Sequence, residues 1–224
     1  MKQRHAFYLP ALAIACLFAA IDGARADTNY WLGVDSNWFN DGNWSLGAWP
    51  GAGQDVVVTN CARGILLTNS TASLASFRIT NNTMTFSNWN TFLAATNVTI
   101  WDGGKFTMPF AFTDSQMSNR IHVICGDFTL EPGAQILGDE RGYAKANGPG
   151  KGVSSGGSGG SGGGGHAGIG GRGSVVCAGG NSCGSLTAPL DPGSGGGSYG
   201  GSAIGAGGGA VRIDAAGAVT IDGT

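Results

Sequence analysis

Short apolar runs broken by turn formers set the pattern of this chain. Val56-Val57-Val58-Thr59, Asn97-Val98-Thr99-Ile100 and Arg120-Ile121-His122-Val123-Ile124 are β-branched or alternating, and Gly, Asn and Asp separate them. No segment sustains the 3.6-residue apolar period of a helix. The pattern predicts an all-β chain.

A repeat sharpens that expectation. Asn97-Val98-Thr99-Ile100-Trp101-Asp102-Gly103-Gly104, Asp127-Phe128-Thr129-Leu130-Glu131-Pro132-Gly133 and Ala218-Val219-Thr220-Ile221-Asp222-Gly223 share one order: apolar, Thr, aliphatic, then an acid and Gly within the turn. Val58, Ile79 and Ile100 are 21 residues apart, and Leu130 follows after 30. Such spacings predict a right-handed β-solenoid (β-helix) whose successive turns stack strands roughly 4.8 Å apart. Val58, Ile79, Ile100, Leu130 and Ile221 would then be buried on one face. The alternative is a β-sandwich. The chain divides into a Trp-rich cap (27–54), solenoid turns (55–147), a glycine-rich insertion (148–209) and a resumed, truncated turn (210–224).

The start of the chain changes the picture. Lys2, Arg4 and His5 precede an apolar run from Ala6 to Ile21, and Ala24-Arg25-Ala26 offers small residues where a signal peptidase reads them. Residues 1–26 are expected to be a secretory signal, which makes the protein secreted or cell-surface. Lipidation at Cys16 is the weaker alternative. Without the signal, nine basic and thirteen acidic side chains remain, a formal charge of −4. With no basic cluster, nucleic acid is not an expected partner, and no span follows the signal. Four cysteines remain in an oxidising compartment. Cys177 and Cys183 share a loop and are expected to bond to each other, while Cys61 and Cys125 stay open. The histidines left, His122 and His166, are too few for zinc.

Between Gly148 and Gly209, 28 of 62 residues are Gly. That composition reads as a flexible linker, but Ile169, Val175, Val176, Leu186, Leu190, Tyr199, Ile204 and two cysteines argue for partial order. The phosphate-binding lysine motif fails, since Lys145 stands five before Gly150 and Gly152 follows Lys151. No cofactor is expected. For catalysis the candidates are Asp102, Asp127, Asp139, Glu140, Arg120 and Arg141, but acids after strands read as turn formers and His122 as a packed strand residue. No enzyme is expected. Trp31, Trp38, Trp44 and Trp49 could stack on sugars, or could plug an exposed core end, which is the preferred reading.

Tyr30-Trp31, Asn37-Trp38, Asn43-Trp44 and Trp49-Pro50-Gly51, leading into Asp55-Val56-Val57-Val58, resemble the opening of bacterial autotransporter-type β-helix passengers and related surface proteins. The glycine tract is similar to glycine-rich insertions of large extracellular proteins, whose segments can bundle as left-handed polyglycine helices. The resemblance implies a structural or adhesive surface protein, adhesin-like, whose partner is a polysaccharide or protein of the cell surface or matrix. A secreted polysaccharide-active enzyme and a carbohydrate-binding module using the four tryptophans are the alternatives. Because the last strand pattern stops at a turn, the chain also reads as an amino-terminal fragment of a longer protein.

Overall fold

The computed structural model describes residues 26–114, 119–156, 160–199 and 205–224. All but the last residue of the expected signal lies outside them. Eleven strands and one short 3-10 turn (Asp41–Asn43) make up the regular structure described. Strands β1 (Thr28–Tyr30), β2 (Asp55–Val58), β4 (Leu74–Ile79), β6 (Leu93–Ile100), β8 (Arg120–Leu130) and β10 (Ala210–Ala215) lie side by side in that order, and β11 (Val219–Ile221) also pairs with β8. A second sheet orders β3 (Ile65–Leu67), β5 (Thr83–Phe86), β7 (Lys105–Thr107) and β9 (Gln135–Leu137).

This arrangement corrects the expected right-handed β-solenoid and its alternative, the β-sandwich. Among the described residues the chain is all-β, in two parallel sheets of seven and four strands with no closed barrel. An evenly repeating turn would need strands and connections of one length. Here the strands run from 3 to 11 residues, and β10 and β11 share one partner. Every pairing between these strands is parallel, where a typical sandwich is antiparallel.

Register puts like on like. Val58, Ile79, Ile100, Leu130 and Ile221 stand in one row across β2, β4, β6, β8 and β11. Val56, Phe77, Val98, Phe128 and Val219 form a second. The first four residues of each row are buried, but Ile221 and Val219 at the edge are exposed. Arg78, Thr99, Thr129 and Thr220 form an outer row. The alternation follows from the two-residue period of a strand.

One chain of aromatic rings joins the two sheets. Trp31 packs edge-on against Trp44 at 5.0 Å, and Trp44 against Trp38 at 4.7 Å. Trp38 reaches Phe77 of β4 at 6.2 Å, Phe77 meets Phe106 of β7 at 5.9 Å, and Phe106 meets Phe86 of β5 at 5.2 Å. The tryptophan segment also covers the free side of β1. Leu32 N donates to Asn43 O (2.7 Å), Ser45 N to Tyr30 O (3.0 Å), and the buried Asn29 side chain to Ala48 O (2.9 Å).

The glycine tract follows a different logic. A strand in a sheet has at most two hydrogen-bonded neighbours. Residues 142–153 have more than two, among them these four. Tyr143 N donates to Gly193 O (3.0 Å), Gly142 N to Gly207 O (2.8 Å), Gly165 N to Gly150 O (2.7 Å) and Val153 N to Ala178 O (3.1 Å). The segments therefore form a bundle rather than a sheet. Glycine supplies room here, not left-handed backbone: among the described glycines of the tract only Gly148 has a positive φ, 98°. A Cβ on Gly179 would lie 1.7 Å from Gly170 O, and one on Gly207 1.8 Å from Gly193 O.

Two matched comparisons test this account by urea denaturation and hydrogen exchange. Ile100→Ala should lower stability by about 2–5 kcal/mol through lost burial and a cavity. Its row-mate Ile221→Ala should lower it by less than about 0.5 kcal/mol, because Ile221 is 59% exposed. In the bundle, Gly179→Ala should release the amides of residues 162–180 to exchange. Gly171→Ala, where an added Cβ meets nothing within 4 Å, should leave them protected.

Candidate functional site

Strand β6 ends in Asn97-Val98-Thr99-Ile100, with Val98 and Ile100 inward and Asn97 and Thr99 outward. Continuing that alternation turns Trp101 out of the core, and it is 43% exposed. Trp101, Asp102, Glu131, Thr80 and Pro132 line a groove of about 460 Å³. The Arg78 guanidinium lies over the indole, 5.8 Å from its centroid, and steadies it. Glu131 comes from the turn after β8, set beside Trp101 because Ile100 and Leu130 pair in register. An exposed aromatic residue beside acidic residues in one groove is a combination that can hold a sugar, C–H groups on the ring and hydroxyls on the acids.

The four tryptophans considered from sequence are placed differently. Trp31, Trp38 and Trp44 are at most 2% exposed, so none can stack on a ligand. Trp31 Nε1 donates to Arg63 O (2.9 Å) and Trp44 Nε1 to Trp38 O (2.7 Å). Trp49 is 42% exposed but packs edge-on against Phe39 at 5.4 Å. Beside them, Asp35 accepts from the Asn43 side chain, the Asn37 amide and the Asn40 side chain, which holds its carboxyl below the usual range. Trp101, outside this cluster, is the exposed tryptophan of the groove. The alternation in β6 was the signal that could have found it.

The densest group of ionisable side chains spans β8 and β10. His122 Nε2 lies 2.9 Å from Asp214 Oδ2, and its Nδ1 lies 3.3 Å from Arg120 Nη2. Arginine cannot accept, so Nδ1 is the acceptor and Nε2 carries the proton it donates to Asp214. The Arg120 guanidinium sits 4.9 Å from the Trp89 centroid. Burial first, and then the charge of Arg212, lower its proton affinity. Arg212 Nε donates to both Asp214 oxygens at 2.9 and 2.8 Å. With both ring nitrogens engaged, His122 straps β10 to β8 and is not poised as a base.

The other candidates have separate neighbours. Asp127 accepts from Ala218 N at 2.7 Å, and Arg141 lies 4.5 Å from the Phe110 centroid. Asp139 and Glu140 follow β9, and Glu140 has φ 54°. Among the described residues no group of three His, Cys, Asp or Glu could hold a metal. Cys61, Cys125, Cys177 and Cys183 are all free thiols. The expected Cys177–Cys183 bond is not formed here: Cys183 Sγ lies 3.6 Å from both Gly165 O and Ser194 Oγ, while Cys177 is buried near Ser174, to whose carbonyl its amide donates. Burial pushes the Cys125 thiol up, with Asp127 and Asp214 adding to the effect. No helix described is long and apolar enough to cross a membrane.

No protein-family model, curated protein or solved structure matches this chain.

The strap has a pH signature. The hydrogen bonds from Arg212 and then His122 hold the Asp214 carboxyl below its ordinary range. A depressed carboxylate contributes stability above its unfolded value of about 4 and loses it as pH falls through the folded value. The stability advantage of the native chain over Asp214→Asn, measured by urea denaturation, should therefore be present at neutral pH and shrink in acid. A pH-independent difference would contradict this.

Proposed function

We propose that this chain is an exported structural and adhesive protein of the cell surface or extracellular space, and that it contacts glycans through the Trp101 groove. The observation that carries the reading is the exposed Trp101, which lines one groove with its neighbour Asp102 and with Glu131 of the next turn. The export signal in residues 1–26 and the Trp-Asn pattern resembling bacterial surface proteins of the autotransporter type agree with it. So does the low share of charged residues, 12%, since neutral sugars are met without competing ion pairs. A shallow groove at the rim of a broad sheet suits a polymer lying across it, and adhesion then depends on a rigid scaffold. The parallel sheets and the aromatic core provide one.

Binding to a panel of neutral polysaccharides, read by calorimetry, tests the proposal. Trp101→Ala should weaken binding by about tenfold, since one aromatic contact contributes roughly 0.5–1.5 kcal/mol beyond its buried area and about 1.4 kcal/mol is a factor of ten. Because the ring is half-exposed, circular dichroism should stay unchanged. Binding that survives the substitution at full strength would remove the groove from the reading. A protein that binds no polysaccharide at all would overturn it.

A further inference from the structure

We infer that the glycan site continues past Trp101 into a second basin at Lys105, and that the two basins together select a polysaccharide in which neutral and carboxylate-bearing sugars alternate; this rests on the reading of the Trp101 groove as a glycan site. A cavity of about 430 Å³ is lined by Asn60, Asn81, Asn82, Thr83, Gly103 and Lys105. It borders the Trp101 groove, because Thr80 and Asp102 line the groove while their chain neighbours Asn81 and Gly103 line the second basin. Asn81 N donates to Asp102 O at 3.2 Å, which ties the border together. Gly104 N donates to Trp101 O at 2.7 Å and closes a turn, a geometry that keeps the ends within about 7 Å. Lys105 follows directly and opens β7 beside the groove. Neighbouring units of one sugar chain can therefore occupy both basins.

The basins differ in charge. Asp102 and Glu131 line the first, whereas none of the described residues lining the second is acidic and one, Lys105, is a cation. The burial pattern of β7 puts Phe106 inward and Lys105 outward. Among the described residues Lys105 has no carboxylate partner: the ion pairs there join His122 and Arg212 to Asp214, and Lys151 to Asp114. The buried Asn82 is already committed, since its side chain donates to Thr59 O at 3.0 Å and accepts from Thr83 N at 2.7 Å. That leaves Lys105 and the exposed Asn60 to meet a ligand. An ammonium without a counter-charge, beside an amide, takes an acceptor that carries negative charge, and on a sugar chain a carboxylate supplies it. The acids of the first basin repel the same group. A chain with a carboxylate on every unit is thus disfavoured, and one with a carboxylate on every second unit matches both basins.

Calorimetry on the full chain with a matched pair of polymers tests the inference. One is an alternating polymer of glucuronate and N-acetylglucosamine, and the other is the same polymer with its carboxylates reduced to alcohols. The native chain should bind the acidic polymer about two- to fivefold tighter at low salt, the size of one exposed ion pair, and the preference should fade at about 1 M salt. Lys105→Gln should bring the two polymers to equal affinity with an unchanged dichroism spectrum, and Lys105→Arg should keep the preference. Trp101→Ala should weaken both polymers. Polygalacturonate, with a carboxylate on every unit, should bind more weakly than the alternating polymer. Equal affinity of the native chain for the matched pair, a preference that survives Lys105→Gln, or tighter binding of polygalacturonate would each overturn the inference while leaving the Trp101 groove in place. Binding of neither matched polymer by a chain that still binds neutral polysaccharides through Trp101 would do the same. Loss of all polysaccharide binding would remove the groove reading and this inference together.

Discussion

In-register parallel pairing is the constraint on which the rest of this structure depends. Because each strand lies on the next without a shift, Val58, Ile79, Ile100 and Leu130 meet residues of their own kind, and the inner face becomes continuous hydrocarbon. A slip of one residue would turn every aliphatic row outward and bring the Thr99–Thr129 row into the core. The same register places turns above turns. That is why Trp101 and Glu131, 30 residues apart in sequence, share one groove.

The two ends of the larger sheet meet the edge problem in opposite ways. At β1 the tryptophan segment donates to and accepts from the free main chain, and its rings run on into the core through Phe77 to Phe106 and Phe86. At β10 and β11 the apolar rows run out to solvent. The His122–Asp214–Arg212 strap holds β10 down on β8.

The glycine bundle solves a packing problem with main chain alone. Side chains cannot fill space between backbones that approach so closely, so the bundle is held by N–H to carbonyl bonds and by the absence of Cβ atoms. It joins the sheets through Phe112 and Tyr143, whose rings meet at 4.9 Å, and through the Asp114–Lys151 ion pair at 3.0 Å. Gly148 N also donates to Asp114, and that hydrogen bond, followed by Lys151, lowers the pKa of the carboxyl.

The sequence alone determined the all-β character, the strand positions around Val58, Ile79, Ile100 and Leu130, and the residues sharing a row. Two-residue alternation and 21-residue spacing are local properties that survive without knowledge of the third dimension. The same alternation already pointed Trp101 outward. Tertiary structure decided how those strands were grouped. The division into sheets of seven and four depends on where connections of unequal length return the chain, and composition does not encode that. It also decided the fate of the tryptophans, since an indole can plug a core or face a ligand with equal chemistry and only its neighbours choose. The glycines are the clearest case. Their crowding comes from segments far apart in sequence that approach through bare backbone, and a glycine written in a sequence does not say whether it is there for flexibility or for lack of space.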